Sequence, residues 1–261
     1  MIKLSFLNLF RRKTRTLLSI GGIAIGVAAI IVLVSLVDGF TAEFNDVLGD
    51  FKAITVLQKN AQDQILSRID VGFENKIETI PGVKAAVPEL WFIPEKIDGE
   101  TTGLTGFSAP SIYGLDSDKF FSTGSKGFIG ELEKGAVLSN NDRGQVLIGK
   151  GIEEDYKKFV GSTIKINDKK FKVKGIMKAD SDLVSNIIVM NLSDARELTS
   201  FPNDQINSLT VFLVDPTKDK QTAQLIELKF EELQASTSAD LAAEFESVIG
   251  NLRLLAVAVA L

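Results

Sequence analysis

"RRKTRTLLSIGGIAIGVAAIIVLVSLVDGF", residues 11–40, decides how the rest of the chain is read. Four basic residues sit at its start, and Leu17 to Val37 then runs for 21 residues without a charge. A helix of that length rises about 30 Å, the thickness of bilayer hydrocarbon. A buried core helix is usually shorter and keeps a polar face. A cleaved signal peptide shares the basic start, but its apolar core is shorter and ends at a small-x-small site, whereas VSLVDGF follows here. The segment therefore reads as an uncleaved signal anchor, with a transmembrane helix over 17–37. Lys3, Arg11, Arg12, Lys13 and Arg15 precede it, and Asp38, Glu43, Asp46 and Asp50 follow it. Basic flanks stay cytoplasmic, so the N-terminus is expected inside and everything after Phe40 outside.

Two features accompany the span. Gly22 and Gly26 form a GxxxG, and Ser19 and Ala29 extend the small-residue strip along one helix face. Small residues let helix backbones approach closely in lipid, so this strip is expected to pack against another helix. In residues 1–16, Ile2, Phe6, Leu9 and Phe10 share one helical face and Asn8, Arg11, Arg12 and Arg15 the other. Such an amphipathic segment suits the inner membrane surface or a cytoplasmic partner.

The chain has 261 residues, 45% of them hydrophobic and 24% charged, with a net charge of -5. That composition fits globular material plus one apolar span, enough for one large domain or two modest ones. The mild acidity argues against a nucleic-acid partner. Cysteine and histidine are both absent. No disulfide framework, thiolate site, cysteine nucleophile or histidine-containing triad is available, and the commonest zinc ligand is missing.

Beyond a connector at 38–50, Phe51 to Gln58 reads as a strand and Ile65 to Ile80 as mostly helix. Pro81-Gly82 turns the chain into a strand within "PGVKAAVPEL". Asn207 to Val214 is another strand. A helix is expected from near Thr217, with Thr222, Ile226, Phe230 and Leu233 on one face. These β-α pieces, 51–90 and 201–236, form one expected lobe of βαβ type, and 91–200 an inserted β-rich lobe. Within the insertion, Glu100 to Ser111 is Gly/Ser/Thr-rich and expected to be mobile. "QVLIG" is a strand, "GIEEDYKKF" a short helix and "NIIVM" a strand, and "SDAREL" starts a helix with Ser193 as its cap. "STIKINDKKFKVKGIM" reads as a hairpin turning at Asn167-Asp168. The closing run from Leu254, within 237–261, reads as the start of a second, truncated transmembrane helix, as if the chain were part of a longer protein. The fold class expected is α+β: an N-terminal transmembrane helix followed by a two-lobed extracytoplasmic domain.

Several patterns resemble chemical sites. "GQVLIGKG" (144–151) approaches a phosphate-binding loop, but Gly151 stands where Ser or Thr would hold magnesium, and the strand lies between the glycines. Asp116/Asp118 and Asp180/Asp182 are paired carboxylates without EF-hand spacing and read as surface turns. Asn191-Leu192-Ser193 matches a glycosylation acceptor, more simply explained by chance. No catalytic, cofactor or metal residues are assigned.

The stretch "NLFRRKTRTLLSIGGIAIGVAAIIVLVSL" resembles the first membrane helix of MacB/FtsX-type ABC transporter permeases. "IPGVKAAVP", "YGLDSDKF" and "VLIGKGIEEDYKKFVGSTIKINDKKFKVKGIM" are similar to blocks of that family's extracytoplasmic domain. The resemblance covers nearly the whole chain. It implies a non-enzymatic permease, dimeric or paired with a second permease, embedded in cell-membrane lipid and bound to a cytoplasmic ABC ATPase. That ATPase would face Arg11, Arg12, Lys13 and Arg15, and ATP and magnesium would bind only there. Motion would pass outward for export or extraction of a substrate. The resemblance also implies a two-lobed outer domain. The alternatives are a single-pass anchored binding or adhesion module without an ATPase, and a tethered Ser-Lys or carboxylate hydrolase, which the missing histidine disfavours.

Overall fold

The chain is described by a computed structural model covering residues 13–50, 52–102, 109–125, 129–178 and 182–260. Half of the expected mobile stretch, 103–108, falls outside these residues, as do Arg11, Arg12 and the amphipathic residues before them. Two compact units divide the chain, one of residues 1–45 and 242–261, the other of 46–241.

The first long element, α1, spans Lys13–Asp50. Its segment Thr16–Gly39 is 24 residues long, apolar enough to cross a membrane and not buried within the protein. The helix carries no break at the expected connector: Thr41 Oγ1 donates to the Val37 carbonyl at 2.8 Å, and the helix continues to Asp50.

The larger unit is built on one sheet. Its strands are β1 (Ile54–Gln58), β3 (Val83–Phe92), β4 (Lys96–Ile97), β5 (Glu100–Thr101), β6 (Ser111–Leu115), β7 (Leu132–Gly135), β8 (Gln145–Ile148), β9 (Thr163–Ile166), β10 (Lys169–Met177), β11 (Ile187–Asn191), β13 (Ser208–Leu213) and β14 (Leu233–Thr237). They follow the order β14-β1-β13-β3-β6-β11-β8-β10-β9-β4-β5, with β7 paired to β10. The short β2 (Ile69–Asp70) pairs separately with β12 (Gln205–Ile206). Helices α2 (Phe73–Glu78) and α7 (Asp219–Lys229) complete a β-α-β-β-α-β arrangement at one end, in which neighbouring strands run antiparallel. Helices α3 (Ser117–Ser122), α4 (Lys150–Asp155), α5 (Asp182–Ser185) and α6 (Leu192–Leu198) belong to the segment threaded between β3 and β13. This is the α+β class expected.

Two cores lie along this sheet. Ile54, Val56, Ile77, Leu209, Val211 and Ile226 belong to one. Leu90, Ile112, Val146, Ile164, Val173 and Ile188 belong to the other. Strand β3 serves both, placing Ala86 in the first and Leu90 in the second. Alternation along each strand sends every second side chain to a core, so a single long strand can span two hydrophobic clusters.

The hairpin is as expected. Lys169 pairs with Ile166, and Asn167 and Asp168 take φ of 44° and 68°. A two-residue loop with both φ positive matches the right-handed twist of its strands, and Asn and Asp tolerate that region.

Three expectations need correction. Residues 65–80 are not mostly helix: turns and β2 occupy the first part, and α2 covers only Phe73–Glu78. Ile69 is captured by pairing with Ile206, a long-range partner that the local pattern does not reveal. Ser193 does not cap α6; the N-cap position is Asn191, without a side-chain cap bond, because its side chain is engaged elsewhere. The helix near Thr217 begins as a single 3-10 turn over Pro216–Lys218, and α7 ends at Lys229. Leu233 therefore lies on β14 and Phe230 at the C-cap, so that of the four residues expected on one face Thr222 and Ile226 are on the helix, where they are buried together with Ala223. The last helix, α8 (Ser238–Ala260), carries the apolar run from Leu254. It starts from a reciprocal cap: Asp240 accepts from Thr237 N at 3.0 Å while Thr237 Oγ1 accepts from Asp240 N at 3.2 Å.

Candidate functional site

The first candidate is the face of α1. Ser19, Gly22, Gly26 and Ala29 are all exposed, and a Cβ built on Gly22 or Gly26 meets nothing within 4 Å. Leu17, Leu18, Ile23 and Ile25 are exposed as well, each near 70% or above. An apolar helix uncovered by its own protein needs another apolar medium around it, because exposing that area to water costs about 25 cal/mol per Å². Lys13 is exposed at the first position of this helix, and Arg15 lies one residue ahead of the span.

The chemical patterns that fall on described residues resolve into structural roles. Gly149, the middle glycine of "GQVLIGKG", ends β8 and donates to Ile187 O at 2.9 Å. A Cβ there would lie 2.2 Å from the Ser185 carbonyl oxygen. Gly151 N donates to Ser185 Oγ at 2.7 Å. The loop is thus filled by α5 instead of being open as a cradle for phosphate. Asp116 caps α3 by accepting from Lys119 N at 3.0 Å, and it also accepts from Asn140 Nδ2 at 2.9 Å. Asp118 accepts from Asn140 N at 3.2 Å. Asp180 lies outside the described residues, and among those described no group of three or more acidic side chains could hold a metal. Asn191 is 2% exposed, and its amide donates to the carbonyls of Ser139 and Asp142 at 2.9 and 3.2 Å. A folded chain does not present it for glycosylation. A cleft of about 260 Å³ lies among Gln58, Lys59, Arg68, Asp70, Phe73 and Glu232. Charges of both signs line it, and its Arg68 already donates to the carbonyls of Ile65 and Ser67.

The residues missed by sequence reasoning lie on β3, β6 and β13, on the sheet face opposite Ala86, Leu90, Ile112 and Leu209. Glu89 on β3 is 1% exposed. Its carboxylate accepts from Tyr113 Oη at 2.5 Å, Ser208 Oγ at 2.8 Å and Trp91 Nε1 at 3.1 Å. The donors come from β6, β13 and β3, so one carboxylate joins three neighbouring strands. Beside it Asn207 Nδ2 donates to Trp91 O at 2.7 Å and Asn207 Oδ1 accepts from Trp91 N at 2.8 Å. Trp91 stacks on Tyr113 with ring centroids 4.0 Å apart. Burial pushes the Glu89 carboxyl above its usual range, opposed by the hydrogen bonds from Thr210, Tyr113, Trp91 and Ser208. Burial, with the Glu89 charge next to it, also raises Tyr113 well above an ordinary phenol. No local signal marks this group, since Glu89 reads in sequence as an outward strand position.

A second polar knot fixes the turn before β8. Asp142 accepts from Lys174 Nζ at 2.5 Å and from Ser139 N and Oγ, both at 2.8 Å. The Lys174 ammonium, then the Ser139 hydroxyl, hold its carboxyl at about 2. A depressed folded-state value means that the stabilisation is present above the unfolded value of 3.8 and disappears as pH falls through about 2. Asp142→Asn should therefore lower stability at neutral pH by about 1 kcal/mol, allowing for solvent screening of a surface-side pair. It should also remove the acid-dependent slope between those two pH values, as urea titrations across that range would read.

The MacB-like periplasmic core domain profile matches residues 16–228. The chain belongs to this family, that of the MacB/FtsX-type ABC transporter permeases. Over 99% of its length it is 28% identical to an uncharacterized ABC transporter permease, MJ1507, of Methanocaldococcus jannaschii, covering 66% of that protein. It is 25% identical to the lipoprotein-releasing system transmembrane protein LolC of Buchnera aphidicola, over 78% of this chain and 52% of that one. It is also 25% identical to the uncharacterized permease YvrN of Bacillus subtilis, over 68% of this chain and 46% of that one. The chain thus spans between about half and two thirds of the length of these curated relatives. Its fold is similar to the periplasmic region of MacB from Actinobacillus actinomycetemcomitans, with a TM-score of 0.54 at 16% identity over 75% of this chain and 92% of that one. The extracellular domain of the transporter YknZ from Gram-positive bacteria matches with a TM-score of 0.51 at 14% identity, over 70% of this chain and 99% of that one.

Proposed function

We propose that the chain is the permease part of an ABC transporter. Its N-terminus lies in the cytoplasm, its large sheet domain lies outside, and a separate cytoplasmic ATPase subunit drives it. The observation that carries the reading is the exposed apolar segment Thr16–Gly39 at the head of a MacB-type domain. Its basic N-terminal flank, Arg11, Arg12, Lys13 and Arg15, favours the inside orientation and supplies the surface toward the ATPase. ATP and magnesium belong to that partner. Gly22 and Gly26, with Ser19 and Ala29, form the contact to a second membrane helix, in a homodimer or a paired permease. The continuous helix Lys13–Asp50 favours transmission along its axis, since a hydrogen-bonded helix resists bending more than a loop. The transported substrate is not assigned by any of these features.

Two experiments test this. The chain has no cysteine, so single cysteines report sidedness without background. A cysteine replacing exposed Asp63 should react with an impermeant maleimide in intact cells, and one replacing Lys13 only after permeabilisation. The reverse pattern refutes the orientation. Replacing Gly22 and Gly26 with Leu should abolish stimulation of a co-expressed ABC ATPase while leaving the extracytoplasmic fold intact, and unchanged stimulation would remove that face from the mechanism.

A further inference from the structure

Glu89 is a buried acid to which the permease reading gives no task. Its two oxygens are not equivalent. Oε2 accepts from Trp91 Nε1 at 3.1 Å and from Ser208 Oγ at 2.8 Å, whereas Oε1 accepts from the Tyr113 hydroxyl at 2.5 Å. An indole N–H can only donate, but a phenol hydroxyl can turn and accept. A proton arriving at the carboxylate is therefore directed to Oε1. There the new O–H donates to Tyr113 Oη, and Trp91 keeps its acceptor at Oε2.

The groups facing Glu89 are neutral. They are Trp91 on β3, Tyr113 on β6, and Ser208 and Thr210 on β13. Tyr113 alone among them titrates, and its phenol is raised well above the ordinary value by burial and by Glu89 itself. Helices α2 and α6 pack on the other sheet face, where Ile77 shares a core with Ala86 and Ala195 with Leu90. Their charged residues Glu74, Lys76, Glu78, Asp194, Arg196 and Glu197 belong to that side. Helix α3 shares the Glu89 face through Phe120, which packs on Phe212 with ring centroids 5.9 Å apart. Its Lys119 is taken up by Glu74 and Glu78, and its Asp118 by Asn140. Among the described residues no cation and no second carboxylate bonds to Glu89. Its ionised form is thus a charge without a counter-ion at a position 1% exposed, and such burial favours the neutral acid. Trp91 is half-buried, so the network reaches toward solvent along its indole.

We propose that Glu89 Oε1 is a proton-binding site through which the extracytoplasmic domain responds to the pH outside the membrane. With the proton bound, the contact of β3, β6 and β13 is closed and dry. When the proton leaves to solvent, the Tyr113 hydroxyl turns back to donate, and Trp91 yields to water that hydrates the carboxylate. A raised folded-state value sets the direction: the closed form is favoured at low pH and weakens as pH rises through that value. Acids perturbed by burial and set in a hydrogen-bonded cluster gather at sites that work. The proposal rests on the extracytoplasmic placement only for which compartment's pH is read, and a failed orientation test would leave the titration unchanged.

Trp91 is the chain's single tryptophan, bonded to Glu89 and stacked on Tyr113, so its emission reads the site directly. The full chain in nanodiscs of zwitterionic lipid is titrated from about pH 4 to about pH 9, recording Trp91 emission and its quenching by acrylamide. Wild type should show one transition with a midpoint above 4.5, the emission moving to the red and quenching increasing as pH rises. Glu89→Gln should lose the transition and keep the low-pH spectrum throughout. Tyr113→Phe removes a bond worth more to the carboxylate than to the acid, and should move the midpoint up by about one pH unit. That variant keeps the aromatic stack and decides the matter even if Glu89→Gln fails to fold. An invariant wild-type spectrum, a midpoint at or below 4.5, or a red shift without added quenching would each overturn the proposal. So would a transition that survives in Glu89→Gln, or an unmoved or lowered midpoint in Tyr113→Phe.

Discussion

Replacing Glu89 by alanine should lower stability by about 3–5 kcal/mol, the summed cost of leaving several buried neutral donors without their acceptor. The side chain that disappears accepts from Tyr113, Trp91 and Ser208; Tyr113 and Ser208 are fully buried and have no water to turn to, while Trp91 is half-buried. In a domain of this size that loss lowers the melting midpoint by roughly 10 °C, as a thermal unfolding scan of the purified protein in detergent would show. Because the bonds join β3, β6 and β13, loosening should spread to both cores, which hydrogen exchange at Ala86 and Leu90 would detect together. Glu89→Gln should behave differently. Its amide oxygen can serve Trp91 and Ser208, while its NH₂ faces a Tyr113 hydroxyl able to turn and accept. The pH dependence separates the variants further. Glu89 has a raised folded-state value, so its contribution is full below the unfolded value near 4.5 and lost as pH rises through the folded one. Glu89→Gln should remove that decline, so its stability relative to wild type should improve as pH increases; a constant difference would mean that the carboxyl does not titrate as its burial dictates.

Gly149→Val is the second large effect. The residue has ordinary negative φ, so conformation is not the obstacle. Space is: a Cβ would lie 2.2 Å from Ser185 O and 2.7 Å from Val184 O, both backbone atoms that move only with α5 and its strand. Overpacking of this kind costs about 1–3 kcal/mol, and more where the obstructing atom is backbone. The variant should melt several degrees lower and expose the α4–α5 contact to proteolysis. Nucleotide binding by the chain should be nil before and after the change, as equilibrium dialysis with labelled ATP would record. ATP retained by wild type and lost in the variant would show that Gly144–Gly151 binds phosphate after all.

What was legible in the sequence was what depends on near neighbours. The apolar span needs only 24 consecutive residues and no partner within its own chain. The Asn167-Asp168 turn needs two residues that tolerate positive φ between alternating strands. Strands β8 and β11 are mainly continuous apolar runs, and both are buried on both faces. The misread elements each answered to something distant. Residues 65–80 carry apolar residues at helix-compatible spacing, but Ile69 is drawn into a strand by Ile206. Ser193 would serve as a cap, yet the N-cap position falls two residues sooner, at Asn191, whose side chain is bonded to a turn about 50 residues earlier.

The order of residues alone determined that Thr16–Gly39 is a membrane-compatible helix, that the body is α+β and that no histidine or cysteine chemistry is available, because hydrophobic run length, turn conformation and residue inventory are local quantities. Tertiary structure alone decided that a single sheet serves two cores, and that Glu89 ties three neighbouring strands together from the opposite sheet face. Those facts depend on strand register, which is set by burial summed over the whole sheet, and a shift of one residue would carry every side chain of a strand to its other face.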